Sequence, residues 1–310
     1  MHAQEPKAFP VGKLCALAGA TKQAYYKRDK EAAMRQSALE SFALEFIHGV
    51  SGKASRLGGR KLWVMYKDKM GSNERLGRDR FMDLLDRYGL KIRQKVRKPR
   101  TTDSTHGLPV FPNLAYSFIP NKINELWVSD ITYVPVWVSD NEYAFCYLSL
   151  ITDAYSHEII GWAAGSSLET KYTSEALRMA FKRLEGLDPD SIEKLIHHSD
   201  RGVQYASREY VDILKHHSIN ISMTENGNPK DNAVAERINR TIKDEFFKDL
   251  RFSRITEVRD AITKAVEFYN NERPHMCIDM MTPAQAAKCN GELKKWWKSY
   301  RDKAIKDDRA

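Results

Sequence analysis

Cysteine is scarce: Cys15, Cys146, Cys277 and Cys289 are the four in 310 residues, and no two form a C-x-x-C pair. That excludes a disulfide framework or a cysteine zinc site encoded locally. The doublets His197-His198 and His216-His217 lack zinc-finger spacing, so they are expected to be structural or surface histidines. Although 42% of the residues are hydrophobic, no run reaches 18 apolar residues, and no helical membrane span is encoded. The opening MHAQEPKAFPVGKL has no apolar stretch of the secretory type. The expected location is the cytoplasm, without a membrane partner.

What is plentiful is positive charge, and it is unevenly spread. Residues 51–100 carry 16 Lys/Arg against 5 Asp/Glu, an excess larger than the +9 of the whole chain. Residues 287–310 hold 8 basic against 4 acidic side chains and residues 1–50 hold 7 against 5, so the middle of the chain is acidic. A basic run alone is usually a solvated helix face; basic arms around an acidic centre fit a protein that grips a polyanion and works on it.

Five regions are expected. Residues 1–50 read as helical: KLCALAGATKQAYYKR (13–28) gives a short helix, a turn at Gly19 and a second helix capped by Thr21. Residues 51–98 form a basic module. In it GRKLWVMYKDKM (59–70) places Leu62, Met65 and Tyr66 at helical spacing, and GRDRFMDLLDRYG (77–89) aligns Phe81, Leu84, Leu85 and Tyr88 before a stop at Gly89. Two basic helices about a turn fit a helix-turn-helix. Its cations Arg60, Lys61, Arg78 and Arg80, with Arg93, Lys95, Arg97 and Lys98 beyond, are candidate phosphate contacts. Residues 99–120 read as a linker, broken by prolines. From 121 to 287 the strands 125–137, 142–154 and 158–165 are followed by helices alternating with two shorter strands, which predicts an α/β domain with a mixed sheet flanked by helices. Residues 288–310 are a basic tail.

Two strands pause or end at an aspartate, Asp130 in WVSDITY and Asp200 in HHSDRG. A third acid, Glu236, lies on a helix predicted from about 232 to 247. Its apolar stripe is Ala235, Ile238, Ile242 and Phe246, with Glu236, Asn239, Arg240 and Lys243 on the neighbouring face. Each acid by itself reads as a turn, cap or solvated residue. Three carboxylates converging from two strands and a helix need a cation, and hard oxygen donors suit Mg²⁺ or Mn²⁺. Two such ions serve an in-line displacement at a phosphodiester. Arg240, Lys243 and Arg201 would then line the path of the substrate phosphates. Asp153, in LITDAYSHE, is expected only to cap a turn.

The ordered motifs W-V-x-D, H-S-D-x-G-x-Q-Y and G-N-P-x-D-N-A-x-x-E resemble the DDE transposases with a retroviral-integrase-like core. TTDSTHGLPVFPNL (101–114), LITDAYSHEIIGW (150–162), YNNERPH (269–275) and TPAQAA (282–287) extend the resemblance to the second-frame product of the insertion-sequence-three family. The resemblance implies a ribonuclease-H-like core preceded by small helical modules, with Asp130, Asp200 and Glu236 as catalytic, metal-binding residues. It implies hydrolytic nicking of an element end and attack of the freed 3′-hydroxyl on a second phosphodiester. Partners implied are double-stranded DNA, a first-frame product or fused upstream domain, and further copies of the chain assembled on DNA in a bacterial cytoplasm, at the nucleoid when active. Other readings are a DNA-binding regulator of transposition with an inactive core, and a related nuclease or integrase of different substrate. Ile278 stands where the family often has Leu after its R-P-H motif.

Overall fold

The computed structural model describes residues 10–23, 30–72, 74–92, 107–139, 142–225, 231–297, 302 and 305. The basic run holding Arg93, Lys95, Arg97 and Lys98, most of the helix expected after Thr21, and residues 226–230 lie outside the described residues. The chain divides into two compact units, residues 1–48 with 66–90, and residues 49–65 with 91–310.

The first unit is helical. It contains α1 (Val11–Leu17), most of α2 (Lys30–Ser51), the end of α3 (Gly59–Lys69) and α4 (Arg78–Arg87). Ala43, Ile47, Tyr66, Leu76, Phe81, Leu84 and Leu85 are buried. Tyr66 stacks on Phe81 with ring centroids 5.0 Å apart, and its hydroxyl accepts the Leu76 amide at 3.1 Å. Tyr88, expected on the apolar face of α4, is instead 55% exposed. It occupies the C-cap, where the chain has already left the helical path that leads to Gly89 at φ +66°.

The second unit is built on a five-stranded sheet of order β3-β2-β1-β4-β5. Strands β1 (Leu126–Trp137), β2 (Tyr143–Asp153) and β3 (Ile159–Gly165) form an antiparallel meander. The shorter β4 (Ile196–Ser199) and β5 (Asn220–Met223) pair parallel to β1 and to each other. This is the mixed, ribonuclease-H-like sheet that the sequence predicts. Alternation along β1 separates two faces. Trp127 joins a core with Ala176, Leu177 and Ala180 of α5 (Thr170–Phe181) and with Tyr210 and Leu214 of α8 (Arg208–His216). The short α6 (Pro189–Glu193) and α7 (Val203–Ala206) lie between these elements in the chain. Leu126 and Val128 meet Ala235 of α9 (Ala233–Thr241). Gly161 is required where α5 crosses β3, because a Cβ there would stand 2.2 Å from the Ala176 carbonyl oxygen.

Helix α9 continues into a π-helical segment, Ile242–Phe247, and α10 (Ile255–Asn271) follows. Asn270 of α10 is bonded to both the amide and the carbonyl of Ile159, fixing α10 to the start of β3. A single turn, Met276–Ile278, and α11 (Pro283–Ala286) complete the unit, the latter opened by a capping box of Thr282 and Gln285. Part of the expected linker is laid along β5: the Met223 amide donates to the Pro112 carbonyl (3.3 Å) and the Leu114 amide to Ser222 Oγ (2.9 Å). Among the described residues no helix is long and apolar enough to cross a membrane.

Candidate active site

Asp130 lies in the middle of β1, paired with Leu150 of β2, on the face that turns towards α9. Its Oδ1 accepts the Ile131 amide at 2.9 Å and its Oδ2 accepts the side-chain amide of Asn239 at 2.8 Å. Asp200 follows β4 by one residue, so the strand delivers it at its tip, and Oδ1 accepts the Gly202 amide at 3.0 Å. Glu236 stands in the first turn of α9. The sheet explains the meeting: β1 and β4 are parallel neighbours, and α9 packs over them through Ala235.

The three acids feel one another's charge. Burial first, then repulsion from Asp200, pushes Asp130 up to about 7, with a smaller contribution from Glu236 and an opposing one from the Asn239 hydrogen bond. Burial and then Asp200 also raise Glu236. One added positive charge would relieve all of these repulsions, and the donors are the hard carboxylate oxygens that Mg²⁺ and Mn²⁺ prefer. Among the described residues, however, no three His, Cys, Asp or Glu side chains are gathered into a formed metal cage. Asp130 and Asp200 are turned to amide donors.

Two asparagines hold α9 to the strand bearing Asp130: Asn232, not singled out from the sequence, and Asn239, placed from the sequence only on the polar face beside Glu236. Asn232, at the N-cap, donates to the Ser129 carbonyl at 2.8 Å, and Asn239 donates to Asp130 itself. The spacing of Asn239, three residues beyond Glu236 on a helix, is the signal that pointed to it. Beneath β1, Ser129 Oγ donates to the Tyr205 hydroxyl at 2.9 Å.

The other expected residues fall in different places. Asp153 caps its turn, accepting the amides of Tyr155, Ser156 and Asn124. His197 and His198 are buried in β4 against the Tyr210 hydroxyl (3.0 Å) and Ser222 Oγ (2.8 Å). Arg201 donates to the Thr224 carbonyl at 2.7 Å, next to the Asp200 turn. Arg240 is exposed and paired with Asp244 at 3.3 Å, and Lys243 is half-buried in the π segment rather than in α9. Arg60 is exposed, as are Arg78, paired with Asp79, and Arg80, bonded to Gln36. Lys61 is the correction: at 15% side-chain exposure it is bound to Glu245 at 3.0 Å, so its charge is spent inside the protein.

The integrase core domain family matches residues 120–229, and a second integrase core domain family matches residues 217–283. The chain is 33% identical over 275 residues to an insertion element IS600 uncharacterized 31 kDa protein of Shigella sonnei, covering 87% of this chain and 96% of that one. It is 31% identical over 233 residues to the transposase for insertion sequence element IS629 of the same species, covering 74% and 73%. Among solved structures it is similar to the HTLV-2 integrase catalytic core domain, at 18% identity and a TM-score of 0.40, over 54% of this chain and 97% of that one.

Proposed function

This chain belongs to the insertion-sequence-three family of DDE transposases and is an enzyme of DNA transposition and integration, and we propose that it acts through Asp130, Asp200 and Glu236. The observation that carries the assignment is the meeting of the three acids from two parallel neighbouring strands and the helix packed over them, where burial first and then the charge of Asp200 push Asp130 up to about 7. They would hold Mg²⁺ or Mn²⁺, two ions by the demands of in-line displacement, and the metal when bound would activate the attacking oxygen and stabilise the leaving one.

The remaining work falls to the chain. Asn239 orients the Asp130 carboxylate, and Asn232 keeps the start of α9 against β1. In the first reaction a water oxygen attacks a phosphodiester at the element end and releases a 3′-hydroxyl. In the second that hydroxyl attacks a target phosphodiester, forming one P–O bond as another breaks. Arg201, Arg240 and Lys243 steer the phosphates toward the acids. Arg60, Arg78, Arg80, Arg93, Lys95, Arg97 and Lys98 supply electrostatic grip on the duplex, which sequence-independent phosphate contacts do elsewhere. Lys61, held by Glu245, is left out of that set. Further copies of the chain assemble on DNA, and a first-frame product or fused upstream domain assists recognition of the ends.

Asp200→Asn tests the assignment. It should abolish Mg²⁺-dependent nicking of end DNA while leaving DNA affinity within about twofold, because a neutral amide of the same size keeps the fold but not the charge. Undiminished nicking would remove Asp200 from the chemistry. Tight DNA binding by an unmutated chain that neither nicks nor joins would favour a regulator with an inactive core.

A further inference from the structure

Glu245 lies nine residues beyond Glu236 along one continuous helical run, within its π segment. Neighbouring residues of an α-helix diverge by about 100°, so three in succession do not normally all turn inward. Here Phe246 and Phe247 are buried and the Glu245 side chain is only 14% exposed. The i→i+5 spacing of a π turn permits this, and such turns recur at functional sites.

What Glu245 meets is a fork. Arg273, 3% exposed, donates from Nε to Oε2 at 2.7 Å and from Nη2 to Oε1 at 2.8 Å. Lys61 Nζ donates to the same Oε1 at 3.0 Å. The fork is itself held, since Arg273 Nη1 donates to the His275 ring at 2.8 Å and the guanidinium lies over the Tyr269 ring. The main chain is gripped as well: the Arg56 amide donates to the Glu245 carbonyl at 3.3 Å, and Ser55 Oγ to Asp249 at 2.6 Å.

The apolar stripe of Ala235, Ile238, Ile242 and Phe246 already keeps this helix on the core. Apolar burial is non-directional and tolerates rotation about the helix axis. A bidentate guanidinium–carboxylate pair fixes direction. Buried ion pairs are also a poor source of net stability, and their best-attested use is to specify register. From these contacts we infer that Glu245, Arg273 and Lys61 form a clasp that sets the axial rotation of the catalytic helix and so aims Glu236. They are positioning residues for cleavage and joining, a role that rests on Glu236 being one of the metal-holding acids.

The test follows Mn²⁺ binding to the full chain by electron paramagnetic resonance, beside thermal unfolding, DNA affinity and the Mn²⁺ dependence of nicking. Arg273→Lys keeps the charge and loses the fork; Lys61→Met keeps the length and loses the charge. Both should raise the Mn²⁺ concentration for half-saturation, in binding and in nicking alike, by about tenfold for Arg273→Lys, as when an outer support of a metal ligand is removed. Lys61→Met should show a smaller rise, and DNA affinity should hold in each. Lys53→Ala, which breaks the exposed Lys53–Glu272 pair of the same segment, should leave Mn²⁺ binding unchanged. Variants that unfold at lower temperature yet bind Mn²⁺ like the parent would reduce the clasp to a brace and overturn the inference. If Arg273→Lys does not fold, Lys61→Met decides on the same criterion. A parent chain whose Mn²⁺ binding is unaffected by Glu236→Gln would instead defeat the assignment of the acids, and the clasp with it.

Discussion

Asn239 hands its side-chain amide to the outer carboxylate oxygen of Asp130, joining the helix that carries one acid to the strand that carries another. The bond spans 109 residues of sequence. Asn239→Ala removes the donor that opposes the raised proton affinity of Asp130. Nicking should fall by about 10- to 100-fold, the usual cost of losing an outer support of a metal ligand, while end-DNA affinity measured by anisotropy stays level. An unchanged rate would show that β1 orients Asp130 unaided.

Lys243 lies on the π segment, half-buried, two turns past Glu236. Lys243→Ala should lower strand joining and active-site crosslinking to DNA in a chain that still folds. Normal joining by this variant would take Lys243 out of the substrate path.

Neutralising Arg93, Lys95, Arg97 and Lys98 together should flatten the salt dependence of duplex binding. If all four meet phosphates, the slope of log K against log salt should drop in magnitude by roughly 3 to 4. The same slope in the fourfold variant would mean that this basic run does not touch DNA.

His197 is buried in β4 and its proton affinity is pushed down to about 3, by burial first and then by the charge of His198. Unfolding frees an imidazole of ordinary value near 6.5. Between these values the unfolded chain binds a proton that the folded one refuses, so the contribution is complete above 6.5 and is lost as pH falls towards 3. At pH 5 the loss is about 2 kcal/mol. His197→Gln should flatten the decline of thermal stability between pH 6.5 and 5; a parallel decline in both proteins would assign the acid sensitivity elsewhere.

Gly161→Ala places a methyl group against the Ala176 carbonyl. Helix α5 must back away from β3, at a cost of about 1–3 kcal/mol, readable as a lower melting temperature. A melting temperature like that of the parent would mean that the two elements part without cost.

Strand positions, the delivery of Asp200 at a strand tip and the apolar stripe of α9 were legible because each is a local pattern of side chains. Three features were not, each for its own physical reason. Lys61 on an amphipathic helix reads the same whether it faces a phosphate or a buried carboxylate, and its partner Glu245 is 184 residues away. The π segment is hidden because Ile242 and Phe246 keep α-helical spacing, and only the burial of Phe247 beside them gives it away. Tyr88 shares the helical spacing of Phe81 and Leu85, but the helix ends first. The role of Asn239 was half legible, its face fixed by spacing and its partner by the sheet alone.

The parallel pairing of β4 has a consequence in time. The meander β1-β2-β3 closes through neighbouring segments, whereas β4 can join β1 only after the α5 crossover, and α9 only after β5. Contacts distant in sequence form late. A ribosome that has released the chain only as far as residue 195 has issued the amino-terminal helices, the basic run and the meander, but only Asp130 of the three acids. A chain broken off at that point carries the whole basic run but only one of the three acids proposed to act together, and on that proposal it would be left without a blade.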